Sequence, residues 1–332
     1  MRRFAKEPGN PLAILNSMRS RSHSARTRLA SSLAALACIV AASLSIAGQA
    51  GAAPRLHPPS ATASASQIHA EAARVAGYWT PERMRSTPPL DGGAATSGTA
   101  SASFATVLDA TVAPFSVNGR IFLRQGEARG YCSGTAIDSP TRQLVLTAAH
   151  CLNSGPLETS PRTIWSRFVQ FVPAYSNGIA PFGAFVAYRS KIFAPQPFVK
   201  AGNPDYDVGA FLTLPNAAGQ NVADAVGGGV AIVLDRPRAQ HFQTFGYPAT
   251  RRALQQCESP YVGDDVLTYR FAGPPTIAIR CRWTPGASGG GWLVDGGAAI
   301  NGVTSYGHRG DRRHTFSPYF GSGNVGALLA GL

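Results

Sequence analysis

The sequence predicts an all-β protein in which two antiparallel β-barrels pack together and a short helix ends the chain. Three observations support this. Short runs of β-branched and aromatic residues recur after about residue 103, turn-forming Gly, Pro, Asn and Asp separate them, and no long helical periodicity follows before residues 325–330. About 225 residues of this texture suit two barrels in one chain.

The N-terminal residues 1–50 have the layout of a secretory signal peptide. A basic leader precedes the apolar run LAALACIVAASLSIA at residues 33–47, and the small-residue stretch AGQAGAA follows it. We predict cleavage after about Ala50 or Ala52. The run is shorter than the roughly 20 apolar residues of a membrane anchor. We therefore expect a secreted protein, extracellular or periplasmic, without stable membrane association.

Removal of this signal would take away one of five cysteines, Cys38, and part of the positive charge. Cys132, Cys151, Cys257 and Cys281 would remain in an oxidising compartment, where two disulfides are the natural outcome. The formal net charge would fall from +13 to about +7, with Lys and Arg scattered rather than clustered. We expect no nucleic-acid partner.

Residues 51–108 are rich in Ala, Ser, Pro, Thr and Gly. Apart from a possible short helix near residues 68–75, they lack sustained periodicity and are too polar and broken to build a core. We interpret them as a pro-segment or linker. Residues 109–332 form the predicted folded domain, with one barrel at about 109–220 and the other at about 221–332.

The first candidate catalytic residue is His150, in the stretch LTAAHC. The apolar run QLVLTAA predicts a buried strand that ends at this histidine, whose imidazole titrates near neutral pH, as a general base requires. Cys151 follows directly and could bridge to Cys132, which would close a loop worth roughly 3 kcal/mol. Such a bridge would hold the backbone beside His150.

The second candidate is Asp207, which precedes the apolar run VGAFLTL. A carboxylate where a strand enters the core can accept a hydrogen bond from a histidine and fix its tautomer. Asp205 is the competing candidate. We favour Asp207 because the apolar run follows it directly.

The third candidate is Ser288, in the stretch TPGASGGGW. Glycines permit positive-φ turns that aim backbone N–H groups at one point and let a substrate approach closely. We predict that the Ser288 hydroxyl attacks an acyl carbon and that His150 takes its proton. The N–H groups of Gly286 and Ser288 would form the oxyanion hole.

These motifs resemble the chymotrypsin/trypsin-like serine peptidases over roughly residues 109–332. LTAAHC, DVGAF and GASGG carry His150, Asp207 and Ser288 in the order of that family. The resemblance implies two packed six-stranded barrels with the triad in the cleft between them. It also implies a serine endopeptidase that cuts protein or peptide substrates through an acyl-enzyme intermediate. We expect a monomer that needs no cofactor.

Other stretches resemble a secreted bacterial branch related to the glutamyl endopeptidases. These are FGYPA, YWTPERM and the placement of Cys257 and Cys281, which implies a second disulfide between those cysteines. The family's zymogen-activated members carry an Asp before the nucleophile, where this chain has Ala287. We therefore expect activity that does not depend on a buried N-terminal ion pair.

Candidate substrate-binding residues also come from the resemblance. Ser305, Tyr306 and Gly307 resemble the family's S-W-G segment, which pairs with the substrate backbone. The position that often forms the base of the specificity pocket is Arg282, and the place of the pocket histidine of glutamyl endopeptidases is Thr304. Neither known specificity pattern transfers. Arg282, with His308 and Arg309 nearby in sequence, suggests a preference for acidic residues; the alternative is that Arg282 points to solvent.

Two other functions fit less well. An α/β-hydrolase esterase would use the G-x-S-x-G pattern at 286–290, but Pro285 precedes it and glycines follow, where that fold needs a strand and a helix. A catalytically inactive binding protein on the protease fold would not need all three triad residue types. His308 and His314 are too isolated to suggest a metal site.

Overall fold

The computed structural model describes residues 55–56, 64–92, 104–158, 160–266, 271 and 273–332. The predicted signal peptide lies outside the described residues, as do parts of the predicted pro-segment. Every helix within the described ranges is too short or too polar to cross a membrane. The strands there are β1 (Arg55–Leu56), β2 (Ala105–Thr106), β3 (Asn118–Gln125), β4 (Ala128–Ala136), β5 (Leu144–Thr147), β6 (Ser166–Pro173), β7 (Phe185–Ala194), β8 (Gly209–Thr213), β9 (Ala231–Ile232), β10 (His241–Gly246), β11 (Gln255–Asp264), β12 (Ile277–Ile279), β13 (Gly291–Val294), β14 (Ala299–Val303) and β15 (Thr315–Ser317).

The helices of the described ranges are short, except for the first. They are α1 (Ala65–Tyr78), α2 (Pro81–Ser86), α3 (Ala149–Leu152), α4 (Gln196–Ala201), α5 (Val222–Ala225) and α6 (Ala327–Leu329), with 3₁₀ turns at Pro204–Tyr206 and Asp295–Gly297 and a π-helical turn at Ser322–Gly326.

Strands β3 to β8 close into the first barrel. The order β7-β6-β3-β4-β5-β8 is antiparallel throughout, and β8 returns to pair with β7. The short β1 adds to the edge of β7. Large apolar side chains with no exposure to solvent occupy the core of this half, among them Ile121, Phe171, Phe193 and Phe211. This packing holds β5, and with it the start of α3, in a fixed position.

The second half is an eight-stranded sheet. Strands β10 to β15 form its main part, and two strands of two residues each, β2 and β9, add to β11 and β14. Phe242, Trp283 and Trp292 form the centre of its core. The prediction of an all-β, chymotrypsin-like fold with a short C-terminal helix is confirmed.

Residues 64–92 do more than connect segments. Helix α1 begins with a capping box, in which the Ser64 hydroxyl accepts the Gln67 N–H and the Gln67 side chain accepts the Ser64 N–H. Val75, Trp79 and Met84 are buried and belong to the core of the first half. The sequence predicts a stretch too polar to build a core, and the structure adds that three of its side chains join the core of the first half. A few widely spaced apolar side chains suffice here because the barrel supplies the opposing surface.

Candidate active site

His150 and Asp207 meet at the edge of the first barrel. His150 lies in α3, directly after β5, and Asp207 ends the 3₁₀ turn that leads into β8. One Asp207 carboxylate oxygen lies 2.7 Å from His150 Nδ1, and the other accepts the His150 backbone N–H at 2.8 Å. This two-point contact fixes both the ring and its backbone, which leaves Nε2 as the nitrogen directed away from Asp207.

The competing carboxylate, Asp205, is part of a different environment. It is buried, its backbone N–H donates to the Asn203 side chain, and a Cβ atom added to Gly273 would lie 2.5 Å from its Oδ2. Burial, and then the nearby charge of Asp265, raises the pKa of Asp205 to about 6. Of the two candidates, Asp207 is therefore the one that contacts the histidine.

The glycines around Ser288 are required by the shape of its loop. Gly286 and Gly289 have φ angles of +94° and +80°, which residues other than glycine rarely adopt. A Cβ atom at Gly289 would lie 1.9 Å from Thr147 Oγ1, and one at Gly290 would lie 2.0 Å from the Phe245 carbonyl oxygen. The loop therefore sits directly against both halves of the molecule, with Ser288 near its apex.

The carboxylate of Asp91 lies between Ser288 and His150. The Ser288 hydroxyl donates to Asp91 Oδ2 at 2.6 Å, and His150 Nε2 lies 3.3 Å from Asp91 Oδ1. The Gly286 N–H also donates to Asp91 Oδ2, at 3.4 Å. A single carboxylate thus contacts the predicted nucleophile, the predicted base and one predicted oxyanion-hole donor. Sequence reasoning missed this residue, although Asp91 follows two prolines that favour extended backbone.

The backbone before Asp91 is fixed on β4. Tyr131 donates its N–H to the Pro88 carbonyl at 3.0 Å and accepts the Leu90 N–H at 3.0 Å. Gly130 makes room for this crossing, since a Cβ atom there would lie 2.6 Å from the Leu90 Cα. The position of Asp91 therefore follows from strand-like pairing as well as from its own hydrogen bonds.

These contacts shift the pKa values of all three ionisable groups. Burial alone would lower the pKa of His150, but the Asp207 and Asp91 carboxylates outweigh it and raise that pKa well above its ordinary value. Burial alone would raise the pKa of each carboxyl, but contact with His150 and other hydrogen bonds lower the pKa of both Asp207 and Asp91. His150 thus lies between two carboxylates, and both favour its protonated form.

The predicted substrate-binding segment contributes to this site in a way that the sequence did not indicate. The Ser305 hydroxyl donates to Asp207 Oδ2 at 2.5 Å, so this side chain supports the carboxylate. The Tyr306 ring stacks on Phe316, and its hydroxyl donates to Asp265. Thr304 Oγ1 accepts the indole N–H of Trp292 at 3.0 Å in a buried position. That hydroxyl is therefore engaged inside the core.

Arg282 is half-buried rather than directed to solvent. Its Nε donates to the Asp311 carbonyl at 2.8 Å and its Nη1 to the Trp283 carbonyl at 2.9 Å. A Cβ atom on Gly307 would lie 2.6 Å from Nη1, so the guanidinium lies against this segment. Nearby, His308 Nε2 lies 2.8 Å from Asp265 Oδ2. Arg309 is exposed.

Both predicted cysteine pairs are bridged in the structure. Cys132–Cys151 ties β4 to α3 beside His150, and Cys257–Cys281 ties β11 to the segment after β12. Among the described residues, one group of metal-ligand types lies close together, and it consists of Cys132, Cys151 and His150. Since both sulfurs are in the disulfide and the imidazole faces Asp207, this group is not a metal site.

Comparisons with known proteins bear on the fold. Neither a protein-family model nor a curated protein matches the chain in sequence. Among solved structures, the protease Anisep from Arthrobacter nicotinovorans is 29% identical, with a TM-score of 0.58 over 68% of this chain and 97% of that one. The thermostable serine protease AL20 from an extremophilic microorganism is 27% identical, with a TM-score of 0.56 over 64% and 95%.

A third solved structure, of a Glu endopeptidase, is 18% identical, with a TM-score of 0.54 over 69% of this chain and 97% of that one. At this identity the likeness concerns the fold alone. Anisep and AL20 share both the fold and more than a quarter of their aligned sequence with this chain. The chain therefore has the chymotrypsin-like fold, and the solved structures that it resembles include the protease Anisep, the serine protease AL20 and a Glu endopeptidase.

Proposed function

We propose that this protein is a secreted serine endopeptidase in which Ser288 is the nucleophile, His150 the general base and Asp207 the residue that orients His150. The observation that carries the proposal is the meeting of Ser288 Oγ, His150 Nε2 and the Gly286 N–H on one carboxylate. The three groups therefore face one volume, in which a scissile carbonyl would place its carbon near Ser288 Oγ and its oxygen near the Gly286 N–H, with His150 Nε2 in reach of the hydroxyl proton.

The reaction follows from these positions. Ser288 Oγ attacks the carbonyl carbon of the scissile peptide bond while His150 Nε2 takes its proton. The N–H groups of Gly286 and Ser288 stabilise the negative oxygen. The C–N bond then breaks, and the leaving amine receives the proton from His150. Water then attacks the acyl carbon while His150 Nε2 takes its proton. The bond between that carbon and Ser288 Oγ breaks, His150 returns the proton to Oγ, and the carboxylic acid leaves.

We also propose that residues 51–108 are a pro-segment that keeps the enzyme latent, following a signal peptide at residues 1–50. Asp91 supports this because its carboxylate occupies the volume between Ser288 and His150 that a scissile carbonyl needs. The burial of Trp79 and Met84 on the first barrel supports it as well. The two disulfides fit an oxidising compartment, as secretion requires.

We propose that the enzyme prefers to cut peptide bonds that follow an acidic residue. We also propose that it is a monomer. The guanidinium of Arg282 supports the acidic preference because it lies against Gly307 of the predicted substrate-binding segment. Cleavage of a peptide library by the processed protein measures the preference. Enrichment of Asp and Glu before the cut bond is the expected result, and a library profile without it would remove the role of Arg282.

Labelling of the secreted, processed protein with a fluorophosphonate tests the proposed function. We expect labelling of the wild type and its loss in Ser288→Ala and His150→Ala. Asp207→Asn should slow labelling strongly, while the matched variant Asp205→Asn should leave it unchanged, because Asp205 does not contact His150. An unlabelled processed wild type would instead favour a binding protein on the protease fold.

A further inference from the structure

The side chain of Ser133 joins the Ser288 loop to both halves of the molecule. Ser133 lies on β4, next to Cys132, and is buried. Its hydroxyl donates to the Gly286 carbonyl at 2.9 Å and accepts the Tyr247 N–H at 3.0 Å. Its backbone N–H donates to the Ser288 carbonyl at 2.8 Å. One residue of the first barrel therefore contacts the backbone of both predicted oxyanion-hole residues.

The Gly286 backbone needs such a restraint. Glycine at φ +94° has little intrinsic preference for one orientation, and a modest rotation would turn its N–H away from the developing oxyanion. An oxyanion hole works because its donors are held in place before the reaction. Fixing the Gly286 carbonyl restricts rotation at this residue, and the Gly286 N–H in this structure does point at the Asp91 carboxylate.

An N-terminal ion pair is unavailable for this task. Ala287 has no exposure to solvent and packs against Gly246, where an added Cβ atom would lie 3.0 Å from the Ala287 methyl group. Its methyl side chain cannot form the ion pair that a carboxylate at this position would make with an N-terminal ammonium group. The restraint on the loop must come from other contacts, and the Ser133 hydroxyl supplies one directly at Gly286.

We propose that Ser133 is a positioning residue, whose hydroxyl holds the Gly286 carbonyl and thereby restricts the Gly286 backbone to the conformation in which its N–H completes the oxyanion hole. This inference rests on the proposed function of the site. Tyr247 makes a suitable anchor because its side chain is fully buried and it directly follows β10. The chain from Tyr247 N–H through the Ser133 hydroxyl to the Gly286 carbonyl thus connects the loop to a rigid strand end.

The test compares Ser133→Ala with Ser259→Ala in the full chain, after secretion and processing. Ser259 is the matched control because it is also buried, accepts a backbone N–H, that of Arg280, and donates to a carbonyl, that of Pro260, without contacting the Ser288 loop. We measure kcat and KM on the best peptide from library profiling, the pH dependence of kcat, the fluorophosphonate labelling rate and Tm.

We expect Ser133→Ala to lower kcat by about 10- to 100-fold, less than or similar to the loss of a full oxyanion-hole donor. KM should stay within about twofold of wild type, since the substrate contacts are unchanged. The midpoint of the pH dependence of kcat should stay within error, since His150 is unchanged. Ser133→Thr, which keeps the hydroxyl, should restore most of the rate. Ser259→Ala should change Tm but not kcat.

Three results would overturn the inference: a Ser133→Ala rate within about twofold of wild type, a loss that resides in KM alone, or an equal kcat loss in Ser259→Ala. Should Ser133→Ala fail to be secreted, Ser133→Gly, which also removes the hydroxyl, takes its place. An unlabelled wild type would count against the proposed function, whereas a labelled wild type with a fully active Ser133→Ala would count against this inference alone.

Discussion

The Ser288 hydroxyl donates a hydrogen bond to the carboxylate of Asp91 at 2.6 Å, across 197 positions of sequence. The bond directs the hydroxyl proton away from His150, and the other Asp91 oxygen lies 3.3 Å from His150 Nε2. An incoming peptide would have to displace the carboxylate from both groups. We therefore expect the unprocessed chain to react slowly with fluorophosphonates and peptides.

Replacing Asp91 should release the site before processing. A hydrogen bond to a charged group contributes about 1.5–3 kcal/mol. We therefore expect Asp91→Ala to raise the fluorophosphonate labelling rate of the unprocessed chain by about 10- to 100-fold. Glu82→Gln is the control, because Glu82 is an exposed carboxylate of the same segment, paired with Arg85. Equal rates in wild type and Asp91→Ala would show that Asp91 does not restrain the nucleophile.

The pH dependence of the site should change with Asp91. The raised pKa of His150 means that its contacts with the carboxylates stabilise the imidazolium, and this stabilisation is lost as pH rises through that pKa. In a Ser288→Ala background, which prevents self-processing, Asp91→Asn should move the His150 titration to lower pH. NMR of the imidazole protons measures the midpoint. A midpoint unaffected by Asp91→Asn contradicts the ion pair.

The pro-segment should depend on Trp79 for its attachment. The buried indole donates to the Phe168 carbonyl at 2.6 Å and lies 5.4 Å from the Phe122 ring. Truncation to alanine at such a site costs about 3–5 kcal/mol. We expect Trp79→Ala to increase both limited proteolysis of residues 64–92 and labelling of the unprocessed chain. His69→Ala, on the exposed face of α1, should do neither.

Asp205 should make stability depend on pH in the opposite sense from a paired carboxylate. Its pKa of about 6 means that the folded state holds this proton more tightly than the unfolded state. Its contribution is therefore present below the ordinary pKa of an aspartate and lost as pH rises through about 6. In the Ser288→Ala background, Asp205→Asn should gain Tm relative to its parent between pH 4 and pH 7. A difference in Tm that stays constant over this range would contradict the assignment.

The fold class and the contact between His150 and Asp207 could be predicted because each is encoded locally, whereas the Ser288 hydroxyl contacts Asp91 in this structure. An apolar strand delivers His150, another begins after Asp207, and glycines shape the loop of Ser288. The resemblance to a known family then ordered these pieces into one site, and the structural likeness confirms the fold it implied.

Asp91 and Ser133 escaped prediction because their roles depend on contacts distant in sequence. Asp91 looks like one more turn-forming residue in PPLDGG, and only the pairing of Pro88 and Leu90 with Tyr131 brings it to the site. Ser133 reads as an ordinary strand residue beside a cysteine, and its partners lie 114 and 153 positions away. No periodicity or motif records such distances.

The contact between Ala287 and Gly246 bears on how the unprocessed chain could be activated. A peptidase that is activated by an ion pair between its new N-terminus and a buried carboxylate depends on a cut at one particular bond. In this chain the position of that carboxylate is taken by Ala287, whose methyl group packs against Gly246. The cut that removes the pro-segment would then not have to fall at one bond, and a mixture of N-termini should turn over substrate as fast as a uniform preparation. Activation would then require that the Asp91 carboxylate leave the site, and would not require a new N-terminal ammonium group to enter it.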